Sequence, residues 1–180
     1  MERLLVSANF FKGKQKIKFF CVRYGNVLGS RGSIVPVFVN QIKSGGKITI
    51  TDPLMTRFNI AMDEALNLIF RALQNGKGGE IFVPKLKAYK VGDMKDAIVV
   101  GLNSNTESEI ISIRPGEKMH EFLINSDELR NTFENDDDYV IVDKQLQDSE
   151  FNKDNNLVST TLTQPYSSDK VQLLTKDELK

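Results

Sequence analysis

The chain has 180 residues, 40% of them hydrophobic and 27% charged, and its 24 basic and 24 acidic side chains cancel. That length allows one ordinary domain or one and a half small ones, and a zero balance leaves no basic footprint for nucleic acid or an anionic membrane. No apolar stretch reaches the roughly 18 residues of a bilayer span, and the opening Met1-Glu2-Arg3-Leu4-Leu5-Val6-Ser7 is too polar for a secretory signal. The single cysteine, Cys21, excludes an internal disulfide, which fits a reducing, cytoplasmic setting. Flanked by Phe20 and Val22, it reads as a small core residue rather than a reactive thiol.

Leu4, Leu5, Ala8 and Phe11 recur at helical spacing, so a helix is expected from Met1 to Phe11, stopped by Lys12-Gly13-Lys14. Met1 reads as mid-helix, because no capping residue precedes it. Ile17 to Val22 is an almost unbroken apolar run, as in a strand covered on both faces within a parallel sheet. Such a strand needs neighbours on both edges, so an upstream segment is expected to supply them. The glycine-spaced loop Arg23 to Ser33 follows. Ser33 is placed to cap a helix with the stripe Val35, Phe38, Val39 and Ile42, with Pro36 in its first turn and Ser44-Gly45-Gly46 as its stop.

Lys47 to Thr51 alternates as a short strand. Asp63 opens a helix with Leu66, Ile69, Phe70 and Leu73 on one face, closed by Gly76. Ile81 to Val83 reads as a strand that Pro84 ends. A helix over Asp93 to Val100 and a strand over Ile110 to Ile113 come next. Helical segments are then expected from Gly116 to Ile124 and, capped by Ser126, from Asp127 to Asn131. Beyond Val142 the chain is polar, and Asp143 to Asn156 is expected to be mobile. Thr175 to Lys180 has the capping-box spacing of a helix start. Alternating strands and helices make the fold class α/β.

A metal site is not expected: the chain has one histidine and one cysteine, and the carboxylate run Asp136-Asp137-Asp138 reads as a solvated loop. A Ser-His-Asp triad would have to use His120, which lies at helical spacing between Glu117 and Glu121 on what reads as a surface face. Gly25, Gly29 and Gly32 match neither G-x-G-x-x-G nor a P-loop. Asn26, Ser30, Arg31 and Ser33 nonetheless fall between a strand end and a helix N-terminus, where free amides and the helix dipole favour anionic ligands; a plain β-to-α connection is the alternative. Arg57 and Arg114 are of the type that grips a diphosphate through paired bonds, and Glu117 of the type that accepts from ribose hydroxyls. Taken singly, each arginine also has the look of a surface ion-pair residue.

Five stretches carry a family resemblance: RYGNVLGSRGS (23–33), TDPLMTRF (51–58), GGEIFVPK (78–85), IRPGEKMHE (113–121) and LINSDELRNTFENDDDYVIV (123–142). In this order they resemble the extended short-chain dehydrogenase/reductases that act on nucleotide sugars. The likeness is to the UDP-N-acetylglucosamine 4,6-dehydratases of the CapD-like polysaccharide biosynthesis family. It covers nearly all of residues 1–142 and returns near 166–180. It implies the terminal part of an NAD(P)-binding Rossmann-like domain over 1–30, a nucleotide-sugar substrate-binding region over 31–142, and a polar, partly flexible tail over 143–180.

The implied reaction oxidises C4 of the sugar with NAD or NADP, eliminates water across C5 and C6, and returns the hydride to C6. By resemblance Asn26, Arg57, Arg114 and Glu117 contact a UDP-sugar, with Ile48 and Thr49 of the KITIT strand against the uracil; Arg31 joins them from its place in the loop. The family's glycine-rich cofactor turn and its Tyr-x-x-x-Lys pair do not stand where the resemblance would put them. Tyr166-Ser-Ser-Asp-Lys170 matches the latter only in spacing, after the substrate motifs, and reads as coincidence. The chain is therefore expected to be the C-terminal part of a longer enzyme, without catalytic residues of its own, inactive alone, binding the nicotinamide cofactor poorly, and self-associating. A nucleotide-sugar 4-epimerase and a non-catalytic nucleotide-sugar-binding module are the other readings.

Overall fold

A computed structural model describes residues 1–142 and 155–179. In chain order its elements begin with α1 (Glu2–Phe11), β1 (Cys21–Val22), β2 (Asn26–Val27), α2 (Ile34–Lys43), β3 (Ile48–Ile50) and β4 (Thr56–Ile60). Then come α3 (Met62–Asn75), β5 (Ile81–Pro84), β6 (Ala88–Lys90), α4 (Val91–Gly101), β7 (Ser108–Ile110) and β8 (Phe122–Ile124). A 3-10 helix (Ser126–Asn131) leads into β9 (Thr132–Glu134) and β10 (Asp138–Ile141), and β11 (Val158–Ser159) and β12 (Tyr166–Ser167) complete the set. The chain divides into two units, one of Met1–Tyr24, Asp63–Lys85 and Leu123–Tyr166, the other of Gly25–Met62, Leu86–Phe122 and Ser167–Lys180.

The first unit is built on a sheet of order β1-β5-β10-β9-β11, in which β1 runs parallel to β5 and the remaining pairs are antiparallel. Leu68 and Ala72 of α3 pack on Phe82, Val140, Val142 and Leu157, with Phe20, Val22 and Phe133 around them. The outcome for α3 differs from the expected one. It buries the small stripe Ala65, Leu68 and Ala72, while Leu66, Phe70 and Leu73 stand 46%, 56% and 58% exposed. The alanines let the helix backbone lie close to the sheet, and the bulkier row is turned outward.

The strand expected over Ile17 to Val22 shrinks to Cys21–Val22, with β5 as its one neighbour among the described residues. Asn9 is the reason. Buried in α1, its side-chain amide donates to the Phe19 carbonyl at 2.7 Å and accepts the Phe19 N–H at 3.1 Å. The Phe19 carbonyl still takes the Gly79 N–H at 2.6 Å, so it is the Phe19 N–H that is withdrawn from a longer ladder. Cys21 is buried, as its neighbours suggest, and burial pushes its thiol pKa up.

Asp138 also departs from the solvated-loop reading. It is 2% exposed and takes a bidentate pair from Arg71, with both N–O distances at 2.7 Å. Asn125, rather than Ser126, caps the 3-10 helix, through a capping box closed by Glu128. Glu128 and Glu2 together clamp the Arg23 guanidinium.

The second unit holds the sheet β2-β4-β6, the parallel pair β3-β7, and helices α2 and α4. Its core is Phe38, Ile48, Ile50, Met55 and Val91, flanked by Ile34, Ile42, Ile98 and Val99. β7 begins earlier than the strand expected over Ile110 to Ile113, because Ser108, Glu109 and Ile110 pair with Ile48, Thr49 and Ile50. No helix forms over 116–121, and β8 takes the place of its last turn. There the Met119 carbonyl accepts from Thr56 N and Arg57 Nη1, so it serves β4 instead of a helical ladder.

Past Ser167 the chain returns to β6, where Ala88 N donates to Gln172 O and Leu174 N to Ala88 O. It ends in a turn capped reciprocally by Thr175 and Glu178, the expected helix start. Lys87 and Thr175 hold the Glu178 carboxyl down at about 2. Of the segment expected to be mobile, residues 143–154 lie outside those described. Among the described residues no helix is long and apolar enough to cross a membrane.

Gly25 lies against Phe58: a Cβ there would fall 2.4 Å from Phe58 Cβ and 2.8 Å from its carbonyl carbon. Gly25→Ala is expected to destabilise the chain by about 2–3 kcal/mol, read from thermal or urea unfolding. Asp138→Ala removes the buried partner of Arg71 and should cost about 2 kcal/mol in the same assay, with Asp138→Asn losing less because an amide still accepts.

Candidate functional site

In β4 the burial alternates: Thr56, Phe58 and Ile60 point into the core, and Arg57 and Asn59 lie on the other face. Arg57 thereby enters a cleft of about 240 Å³ in the second unit, whose wall also includes Asn26, Gly32, Thr49, Arg114 and Glu117. Its side chain is 13% exposed. Nη1 donates to Thr56 O at 2.8 Å and Met119 O at 3.2 Å, and Nη2 donates to Met55 Sδ at 3.3 Å. Beyond the Met55 contact, the Nε–Nη2 edge meets two loosely placed carboxylates among the described residues, Glu121 at 3.7 Å from Nε and Glu117 at 3.9 Å from Nη2. This is the same guanidinium edge that Arg71 uses to grip Asp138 with two short bonds. In Arg57 its donors are loosely engaged, with Nη2 beside Glu117 of the cleft wall, a geometry that suits an incoming anion with paired oxygens.

Glu117 is fixed by a turn. Its N–H donates to Arg114 O, its carboxylate accepts the Arg114 N–H at 3.2 Å, and Thr51 Oγ1 donates to it at 3.2 Å. Gly116 makes that turn possible by adopting φ +83, a conformation costly for other residues. Asn26 leaves β2 beside β4, opposite Asn59, and its side chain shares a hydrogen bond with the phenol of Tyr89. Tyr89 is fully buried, and burial pushes its pKa up to about 12, so the phenol stays protonated. Thr49 is held by Gln41 of α2, which donates to its hydroxyl at 2.8 Å and accepts its N–H at 3.2 Å.

Of the residues singled out from the sequence, Asn26, Thr49, Arg57, Arg114 and Glu117 come to one cleft. Ile48 does not: its side chain is wholly buried in the core with Phe38 and Met55. Arg31 is exposed and lies outside the cleft wall. Ser33 takes the N-cap position of α2, but its hydroxyl makes no cap bond and is buried without a partner among the described residues. His120 is not on a helix, and its Nδ1 lies 2.8 Å from Thr56 Oγ1. Sequence reasoning passed over Glu121, whose carboxylate accepts the Phe58 N–H at 3.1 Å and whose pKa is raised by burial against the opposing pull of Arg57. It also passed over Ser168, fully buried among the same groups. Glu121 closes the IRPGEKMHE stretch, which was the one signal that could have pointed to it, whereas Ser168 stands outside the five family-like stretches. Among the described residues no cluster of histidine, cysteine and carboxylates could hold a metal ion.

Several known proteins resemble this chain. The polysaccharide biosynthesis protein family matches residues 1–143. An uncharacterized membrane protein of Methanocaldococcus jannaschii is 39% identical over 99% of this chain and 53% of its own length. UDP-N-acetylglucosamine 4,6-dehydratase (inverting) of Campylobacter jejuni is 40% identical over 78% of this chain and 41% of its own. The X-ray structure of Pen from Bacillus thuringiensis superposes with a TM-score of 0.87 at 35% identity, covering 99% of this chain and 52% of that one. More distantly, dTDP-glucose 4,6-dehydratase from Streptomyces venezuelae with NAD and TYD bound aligns over 62% of this chain with a TM-score of 0.55 at 18% identity, a likeness of fold.

The chain thus spans about half the length, or less, of the relatives it matches. The expected α/β architecture, with the strands and helices of Rossmann-type nucleotide-sugar enzymes, is the one found. In sequence and in structure, the chain belongs to the polysaccharide biosynthesis protein family.

Proposed function

We propose that the chain is the nucleotide-sugar-binding part of an NAD(P)-dependent UDP-N-acetylglucosamine 4,6-dehydratase that works in the cytoplasm. The carrying observation is the loosely engaged Nε–Nη2 edge of Arg57, a residue lining a cleft in which Arg114 supplies a second positive charge. On this reading the two guanidinium groups take the diphosphate. Glu117, braced by Thr51 and the Arg114 N–H, accepts from the ribose hydroxyls. Asn26, steadied by Tyr89, reaches the sugar or its phosphate, and Thr49 borders the base. Ile48 acts from below, as packing under the strand.

The contribution of these residues is orientation. A diphosphate gripped at fixed points holds the sugar in one pose, and such positioning removes much of the entropic barrier to a reaction. A nicotinamide cofactor, when bound in the complete enzyme, accepts and returns the hydride. On this reading no step of that transfer is assigned to this chain, which is inactive alone. Oxidation at C4, loss of water across C5 and C6 and hydride return to C6 would yield a 4-keto-6-deoxy sugar for glycan synthesis. A nucleotide-sugar 4-epimerase is the second reading, supported by the UDP-glucose 4-epimerase of Rickettsia rickettsii, 38% identical over 72% of this chain.

Titration of the chain with UDP-N-acetylglucosamine, UDP and NAD is expected to show binding of the two uridine nucleotides and no response to NAD. Arg57→Ala should weaken UDP binding by about tenfold or more, the equivalent of about 1.4 kcal/mol. Unchanged affinity in Arg57→Ala would remove the assignment. In the complete enzyme, a 4-keto-6-deoxy product is expected, and a simple C4 epimer would favour the second reading.

A further inference from the structure

Ser168 lies beyond the residues matched by the family and in a stretch whose sequence reads as polar tail, yet its relative exposure is 0%. Its hydroxyl is within hydrogen-bonding distance of three groups: Thr56 Oγ1 at 2.6 Å, Thr56 O at 3.1 Å and the Glu121 N–H at 2.9 Å. Its own N–H donates to Glu121 O at 2.9 Å. A hydroxyl carries one proton and two lone pairs, which restricts how these contacts can be shared. All of them are satisfied together when Ser168 O–H donates to Thr56 O while Thr56 O–H and Glu121 N–H donate to Ser168 Oγ. His120 Nδ1–H then donates to Thr56 Oγ1, across 2.8 Å.

One backbone group that Ser168 grips bonds Arg57 directly, and the other belongs to a residue whose side chain stands beside it. The Thr56 carbonyl accepts Arg57 Nη1 at 2.8 Å, and the Glu121 carboxylate stands 3.7 Å from Arg57 Nε. We infer that Ser168 is a positioning residue: by locking the Thr56 carbonyl and the Glu121 backbone together, it aims the Nε–Nη2 edge of Arg57 at the diphosphate of a bound nucleotide. This deepens the reading of the cleft proposed above and rests on it for the ligand. The aim of the guanidinium itself rests only on the contacts just given.

Removing the hydroxyl leaves the Glu121 N–H without its acceptor and releases one donor from the Thr56 carbonyl, so the guanidinium loses its fixed frame while its charge remains. A loss of this kind acts on the phosphates and spares the nucleoside. NMR-detected titration of the full chain with UDP and with uridine separates the two. Ser168→Ala is expected to weaken UDP binding about five- to tenfold and to leave uridine binding within about twofold. Ser168→Thr, which keeps the hydroxyl, should restore most of the UDP affinity. Val140→Ala, a core truncation in the first unit, should lower the melting temperature without changing the ratio of UDP to uridine affinity.

The second readout needs no ligand. The Arg57 Nε–H resonance should be dispersed and slow to exchange with water in the wild type, and should move toward the free-arginine position and exchange faster in Ser168→Ala. If Ser168→Ala does not fold, Thr56→Val, which deletes one partner of Ser168 Oγ, is expected to give the same changes to a smaller degree. A UDP-to-uridine ratio and an Arg57 signal both unchanged in the variant would overturn the positioning role while leaving the cleft assignment in place. A wild-type chain that binds no UDP would instead sink the cleft assignment, and the Arg57 resonance would still decide whether Ser168 holds the guanidinium.

Discussion

A guanidinium cannot be left largely shielded from water unless acceptors surround it, and the second unit is arranged around meeting that demand for Arg57. Two carbonyls and a thioether take the far side of the group, and two carboxylates stand off from its near side. Meeting those needs fixes more than one segment. Met119 must give up its carbonyl to β4, which keeps residues 116–121 out of helix, and Glu121 must bring a carboxylate into a desolvated position that raises its pKa. The C-terminal residues then close the frame from behind through Ser168. The local fold and the exposed chemistry of the cleft are thus consequences of one buried cation.

The elements that the sequence announced well were those with a single clear period. The α2 stripe, the alternating KITIT strand and α4 all appeared where expected, because each has one apolar face and one place to bury it. α3 has two apolar rows, and periodicity alone does not say which one meets the sheet; closeness of approach selected the alanine row. The run from Ile17 to Val22 was apolar enough for a long strand, but Asn9 claims the Phe19 N–H from a distance in sequence. Asp138 looked like part of a solvated acidic run, and only the fold brings Arg71 to it. In each case a long-range partner decided what local pattern left open.

The cleft was legible in part, and for a different reason. Asn26, Thr49, Arg57, Arg114 and Glu117 stood in motifs whose order resembled a known family, and the fold gathers them. Ile48 was drawn in by being next to Thr49, but alternation along a strand sends neighbours to opposite faces. Arg31 was drawn in by a loop whose glycines let it swing outward. Residues that hold the site in shape, such as Gln41, Tyr89 and Ser168, stand outside the quoted motifs because their work is done through hydrogen bonds to other segments.

The pairing of Tyr89 with Asn26 gives the molecule an optical property. The chain contains no tryptophan and four tyrosines, so its ultraviolet emission is tyrosine light alone. Tyr24 is exposed, and Tyr139 and Tyr166 lie ring to ring in the first unit at 4.9 Å. The Tyr89 hydroxyl is coupled to Asn26, a residue of the cleft wall. Any guest that draws the Asn26 amide toward itself alters the hydrogen bond on that phenol, and with it the fluorophore's yield. The site therefore comes with a native lamp, one that can be watched without attaching a dye.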